Sequence, residues 1–216
     1  MLRPAHPSLT ELELGFRKAA RAGSARWPAE AARAAVAAGP ARQRAVFASA
    51  GRACGRARIA AWPSWTCDDA ARLLLLDVFV GVVPPCDAAT LLRRLYDRGD
   101  AHERRAVLRA LPYLPTAAAS VALTRSLAED ALRTNDHRLV AAALGPCGYA
   151  LEPAAWRQGV LKCVVLGLPL TAVTGLDDRA DRELASMLDD FAREREAAGR
   201  SVPPEIAPLA ALARES

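Results

Sequence analysis

The chain has 216 residues, of which 52% are hydrophobic and only 5% aromatic, and its net charge is +5. Much of the apolar content is alanine, a strong helix former and a poor strand former, so the composition favours an all-helical protein over a β-rich one. The most apolar run, residues 73–83, is too short to cross a membrane, which takes about 20 residues. Five cysteines without a C-x-x-C pair, and an N-terminus without an apolar signal segment, predict a cytoplasmic protein with reduced thiols.

Three helices and a loop are predicted in the first third of the chain. Ser8 and Glu11 have the spacing of a capping box, which starts a helix that Gly23 ends. Two more helices extend as far as Arg52. Residues 51–66 show little periodicity, and we expect a short helix and a loop there.

A strongly apolar helix and an amphipathic one follow. Thr66 and Asp69 resemble a second capping box, and the helix from Asp69 to Val83 is apolar nearly all round. Such a helix belongs in the centre of a protein. The next helix is predicted to be capped by Asp87 and ended by Gly99.

Three helices of different lengths are predicted in the middle of the chain. Asp100 and Glu103 stand where the N-cap and the third residue of a helix ending near Leu111 would lie. Residues 116–136 predict a longer helix. Asp136 then caps a short helix that ends at a glycine–proline pair.

The last part of the chain predicts three more helices. Pro153 begins one of them, and residues 168–181 predict a loop or a broken helix. The helix after this loop ends at Gly199, with Leu184, Leu188 and Phe191 facing inward. A short terminal helix follows.

These patterns together predict the fold class. They give nine to eleven helices with short loops, and short loops make neighbouring helices antiparallel. We therefore predict an all-α protein, an irregular antiparallel helical array of the HEAT-like α-solenoid type, formed as a single domain over residues 1–216.

The basic residues are concentrated at the N-terminal end. Residues 1–60 contain 11 basic and 3 acidic side chains, whereas residues 61–216 contain 18 and 21. A basic block can attract nucleic acid or lipid head groups. Here the arginines are scattered and few aromatic residues lie among them, which favours an ordinary solvated surface and argues against nucleic acid. Peripheral contact with a membrane stays open.

No motif declares a chemistry. The three histidines form no metal-binding spacing, and no phosphate-binding loop or nucleophile motif is present. We therefore predict no metal site, no cofactor and no catalytic residue. Trp156 is interpreted as a core side chain, and Lys162 as a solvated side chain on a polar ridge. The alternative is a buried lysine with a lowered pKa.

Three segments carry a resemblance to a known family. They are TLLRRLYDRGDAHERRAVLRALPYLP (90–115), ALRTND (131–136) and the series from Trp156 to Arg200 that contains VLKCVVLGLPLTAVTGLDDRAD. In this order they resemble the EboA proteins of bacterial ebo clusters, and the resemblance covers residues 66–200. It implies a small helical protein with a role in making or moving a secondary metabolite. It implies no established catalytic residue.

The sequence therefore supports two hypotheses. The first is a non-enzymatic helical adaptor that binds other ebo-cluster proteins (enzymes or a prenyltransferase-like membrane protein) or a small metabolite. The alternative is an enzyme, or an obligate enzyme subunit, acting on an anionic phosphorylated or prenylated intermediate. The candidate ligand- or partner-binding residues are Arg104, Arg133, Asn135, Asp136, Trp156, Lys162, Asp177 and Arg179.

Overall fold

The computed structural model describes residues 6–215 and confirms the all-α class. The described residues form twelve α-helices and one two-stranded sheet: α1 (Leu9–Ala19), α2 (Trp27–Ala38), α3 (Pro40–Cys54), β1 (Arg58–Ile59), β2 (Trp62–Thr66), α4 (Cys67–Gly81), α5 (Pro85–Arg98), α6 (Ala101–Ala110), α7 (Val121–Arg133), α8 (His137–Leu144), α9 (Pro153–Val165), α10 (Leu176–Arg179), α11 (Arg182–Ala197) and α12 (Ile206–Glu215). The prediction that the N-terminus is not a signal peptide falls partly on residues 1–5, which lie outside the described part.

The chain divides after Leu127 into two compact units, called here the N-terminal unit and the C-terminal unit. The single domain over residues 1–216 stays a prediction. HEAT-like solenoid packing is not confirmed. In a solenoid each repeat contacts only its neighbours, whereas α4 contacts both α1 and α6.

The N-terminal unit is built around α4, as predicted for the most apolar helix. This helix contacts α1, α2, α3, α5, α6 and β2. Leu73, Leu75, Leu76 and Phe79 on α4 are fully buried. Burying one such side chain contributes about 1.5–3 kcal/mol, so α4 carries much of the hydrophobic stabilisation of this unit.

The prediction for residues 51–66 is wrong in part. Helix α3 continues to Cys54, and an antiparallel hairpin of β1 and β2 replaces the predicted loop. Ile59 of β1 and Trp65 of β2 are buried. The hairpin lacks a recognisable strand pattern because β1 has two residues and β2 contains Pro63, which cannot donate a ladder hydrogen bond.

Some of the predicted helix starts are confirmed and others are wrong. Asp100 and Asp136 cap α6 and α8 as predicted, each accepting backbone N–H groups. Asp87 does not cap α5, which begins at Pro85. Helix α7 begins at Val121 and not at residue 116, because residues 116–119 form a turn on the carbonyl of Pro115.

The C-terminal unit contains the end of α7 and the helices that follow it. Helix α8 packs on α9, α9 on α11, and α11 on α12. Leu184 and Leu188 of α11 are buried as predicted, but Phe191 is only half-buried, with the Arg195 guanidinium over its ring. None of the helices in residues 6–215 combines the length and the apolar character needed to span a membrane.

Candidate functional site

A groove of about 530 Å³ lies between the end of α7 and the length of α9, in the C-terminal unit. Clefts of about 300–1,000 Å³ are typical of small-molecule sites. The groove lining is mostly apolar, with a few charged or polar groups. The lining residues are Glu129, Leu132, Arg133, Ala155, Gln158, Gly159, Leu161, Lys162 and Val165.

Helical spacing and one glycine explain why the groove forms. The α9 residues that line it recur mainly at intervals of three or four, so most of them lie on one face. Gly159 packs closely against neighbouring helices, since a Cβ atom there would lie 2.8 Å from Leu144 Cδ2 and 3.2 Å from Leu132 Cδ1. Without a side chain at this position, α9 packs directly against its neighbours.

Lys162 connects the two walls of the groove. Its ammonium group donates a hydrogen bond of 2.8 Å to the carbonyl oxygen of Leu132. That carbonyl is in the last turn of α7, where helix carbonyls lack intrahelical partners and a cation is favoured by the helix dipole. Lys162 is therefore partly buried and hydrogen-bonded, and is not the simply solvated side chain that we predicted.

Arg133 adds a second cation to the groove. Its side chain is 70% exposed, and its ion pair with Asp130 is long, with 3.6 Å between nitrogen and oxygen. Arg133 directly follows Leu132, whose carbonyl binds Lys162. Arg133 and Lys162 both line the groove, and an arginine and a lysine in one groove are the residue types that bind a carboxylate or a phosphate.

Trp156 and Arg179 form a stacked pair in the same unit. Trp156 is 1% exposed, which confirms its interpretation as a core side chain, and the Arg179 guanidinium lies 4.8 Å from its ring centroid. Arg179 also donates hydrogen bonds of 2.8 Å to the carbonyls of Gly148 and Leu151. Burial lowers the pKa of Arg179. The pair therefore holds the short 3-10 helix Pro146–Ala150 and the residue after it in place.

The junction after α7 is explained mainly by helix capping. Asp136 accepts the backbone N–H of Arg138 and is ion-paired with its guanidinium at 2.6 Å. These hydrogen bonds from Arg138 lower the pKa of Asp136 to about 2. Asn135 and Asp177 are exposed and do not line the groove.

Arg104 has a structural role in the N-terminal unit. Its guanidinium donates to the backbone carbonyls of Gly99 and Asp97, both at 3.2 Å, and lies over the ring of Tyr96. It thus closes the C-terminal end of α5. Of the eight candidate residues, Arg133 and Lys162 line the groove.

A charge cluster that was not predicted from the sequence is buried in the N-terminal unit. Asp68 and Asp69, at the start of α4, are both 0% exposed. Asp68 binds Arg72 at 2.8 Å and accepts the Thr66 hydroxyl at 2.6 Å. The Thr66 side chain accepts no backbone N–H group from the first turn of α4, so the capping box predicted for Thr66 and Asp69 is wrong. The i,i+4 spacing of Asp68 and Arg72 was the one available signal.

Asp69 pairs with two arginines of α6. The Arg105 guanidinium lies 2.8 Å from its carboxylate, and that of Arg109 lies 4.0 Å away. Arg109 stacks on Trp65 at 4.0 Å and donates to the carbonyl of Ser64. These contacts tie α4, α6 and the hairpin together. Both carboxylates are shut off from solvent, so the cluster does not present a reactive group at the surface.

The thiols are mostly buried and protonated. Burial raises the pKa of Cys54 and of Cys147 to about 12, and that of Cys163 to about 11. At neutral pH these side chains are thiols and not nucleophilic thiolates. Cys86 is exposed. Within the described part of the chain, no group of three or more histidine, cysteine or acidic side chains could hold a metal ion.

Comparison with known proteins identifies one family. A family model described as "Metabolite traffic protein EboA" matches residues 50–211, well over half of the chain. The match is wider than residues 66–200, over which the resemblance was seen. No curated protein and no solved structure matches the chain.

Proposed function

This chain belongs to the EboA family, and from that premise we propose that it is a non-enzymatic helical adaptor in an ebo-type pathway of secondary-metabolite biosynthesis and transport. The adaptor binds its partner or metabolite in the groove between α7 and α9. The observation that carries the proposal is that Lys162 and Arg133 both line one largely apolar groove.

Binding is favoured over catalysis by the way polar side chains are used. The guanidinium groups of Arg104 and Arg179 are engaged with backbone carbonyls, and Asp136 is engaged in a cap. The thiols of Cys147 and Cys163 have pKa values too high for a thiolate nucleophile. Side chains that are hydrogen-bonded in this way stabilise the fold and are not placed to transfer protons or chemical groups.

The alternative function is an enzyme, or an enzyme subunit, that acts on an anionic phosphorylated or prenylated intermediate. One observation favours it: Lys162 is an amine at the groove, and lysines in such places can act as acids or bases. A Lys162→Arg variant separates the two functions. Arginine keeps the charge but does not release its proton. An adaptor would retain binding in this variant, whereas an enzyme that uses Lys162 would lose turnover.

The proposed partners are other ebo-cluster proteins, either enzymes or the prenyltransferase-like membrane protein, or a small metabolite. We propose a cytoplasmic location, with peripheral membrane contact as an open question. No cofactor takes part in the proposed function.

The test is affinity purification from the native host, followed by mass spectrometry of both proteins and small molecules. Three forms are compared: the wild type, Arg133→Glu in the groove, and Arg200→Glu as a control on an exposed arginine of the same unit outside the groove. We expect a cluster-encoded protein or a metabolite with the wild type and with Arg200→Glu, and clearly less with Arg133→Glu. Recovery of neither from the wild type would contradict the proposal.

A further inference from the structure

The groove between α7 and α9 combines two chemistries that together define its occupant. Its floor is apolar, through Leu132, Ala155, Leu161 and Val165. Val165 is 54% exposed, so this part of the apolar lining is open to water. An apolar surface that is concave and faces water is typical of a binding site. The body of the occupant should therefore be apolar.

The cations have hydrogen-bonding capacity to spare. An ammonium group has three N–H donors, and Lys162 uses one of them on the Leu132 carbonyl. A guanidinium has five, and among the described residues Arg133 has only the 3.6 Å ion pair with Asp130. The hydrogen bond to Leu132 places the Lys162 ammonium next to the residue that precedes Arg133. Both cations line the same groove.

The acidic side chain of the groove indicates how the occupant is oriented. Glu129 lies one helical turn before Arg133 on α7, so it repels an anion placed at its own end of the groove. An anionic head is favoured beside Arg133 and Lys162. The apolar body then extends over the aliphatic floor.

We propose that this groove binds a small amphiphilic anion: a molecule with an apolar body and one carboxylate or phosphate head group held by Lys162 and Arg133. The proposal rests on the proposed function, because it names what an adaptor of this family would carry in the groove. The volume of about 530 Å³ suits a molecule of that kind rather than an inorganic ion alone.

The experiment is calorimetric titration of the full-length protein with matched probes below their micelle concentrations. Decanoate and decyl phosphate carry the two candidate heads, decanol has the same body without charge, and acetate and inorganic phosphate are heads without a body. We expect at least one charged ten-carbon probe to bind roughly tenfold or more tightly than decanol. We also expect it to bind more tightly than its own head group, acetate or inorganic phosphate, binds alone. Which of the two binds better distinguishes a carboxylate from a phosphate ligand.

Variants locate the binding. Arg133→Ala should lower the affinity for the preferred probe by roughly tenfold, as expected for the loss of a charge-assisted hydrogen bond. Arg200→Ala, outside the groove, should leave its affinity unchanged, and Ala155→Trp should weaken both the charged probe and decanol by filling the floor. Equal binding of decanol and the charged probes, or an unchanged affinity in Arg133→Ala, would overturn the proposal.

The two proposals fail in different ways. If no amphiphile binds but a cluster-encoded protein is recovered in an Arg133-dependent manner, the groove holds a protein and this inference is wrong, while the adaptor function stands. If neither a probe, a metabolite nor a partner protein binds, the proposed function is wrong as well.

Discussion

Arg72 offers the sharpest test of how the N-terminal unit is held together. Its side chain is 2% exposed and pairs at 2.8 Å with Asp68, which is 1% exposed. Its Nε also donates to the carbonyl of Phe47 at 3.2 Å. In an Arg72→Ala variant, Asp68 stays buried and keeps two contacts. One is the hydrogen bond from the Thr66 hydroxyl, and the other is Arg56, an exposed side chain whose Nε is 3.9 Å away.

The expected loss is large because the pair is buried. Removing one partner of a buried ion pair costs about 3–5 kcal/mol, since the other charge stays out of water. Folded domains are stable by only about 5–15 kcal/mol. Arg17 and Glu13 provide a matched control with the same i,i+4 spacing and a separation of 2.7 Å, but on an exposed surface. Arg17→Ala should cost about 0.3–0.5 kcal/mol.

Urea unfolding, followed by far-ultraviolet circular dichroism, measures both variants. A third variant, Asp68→Asn with Arg72→Met, removes both charges and should lose less stability than Arg72→Ala. Although burial alone would raise the pKa of Asp68, the hydrogen bonds from Thr66 and Arg72 hold it below its ordinary value. Without Arg72 that pKa should rise, so the loss should shrink as the pH falls from 7 to 4. If Arg72→Ala costs no more than Arg17→Ala, the reasoning from burial is refuted.

Three further predictions use other parts of the chain. Arg138→Ala should raise the pKa of Asp136 from about 2 toward 3.8, so that the remaining stability from the ionised Asp136 cap is smaller and is lost at a higher pH as the solution is acidified; the carboxyl-carbon chemical shift of Asp136 measures this, and an unmoved midpoint contradicts it. Ellman's reagent at pH 8 should label one thiol, Cys86, in the native protein and five after denaturation; prompt labelling of more than one native thiol would refute the burial of the rest. Gly159→Ala should cost about 1–3 kcal/mol through overpacking, whereas Gly81→Ala, with open space at its Cβ, should be neutral or stabilising; equal unfolding midpoints would refute this contrast.

Helix starts that depend on one local interaction were predictable. Asp100 accepts the backbone N–H groups of His102 and Glu103, and Asp136 accepts that of Arg138; the sequence contains everything that these contacts require. Turns are harder to predict from the sequence. Residues 116–119 have helix-forming composition, but Pro115 begins a turn there, and the choice between turn and helix depends on packing.

Contacts between distant residues were beyond prediction. Asp69 and Arg105 are 36 positions apart, and Lys162 and Leu132 are 30 apart. Nothing local to either position marks its partner. The sequence therefore indicated Arg133 and Lys162 as separate candidates, and the fold brings them to one groove. The same limit explains why the hairpin of β1 and β2 was missed, since its buried side chains are defined by the helices around it.

The distribution of tryptophans has a practical consequence for spectroscopy. Three of the four, Trp27, Trp62 and Trp65, lie in the N-terminal unit, and Trp156 is the fourth. In a variant with phenylalanine at the first three positions, all indole emission would come from a buried ring in the C-terminal unit. Its red shift during denaturation would report the melting of that unit alone, while circular dichroism reports both. Whether the two halves lose their structure together thus becomes an optical measurement.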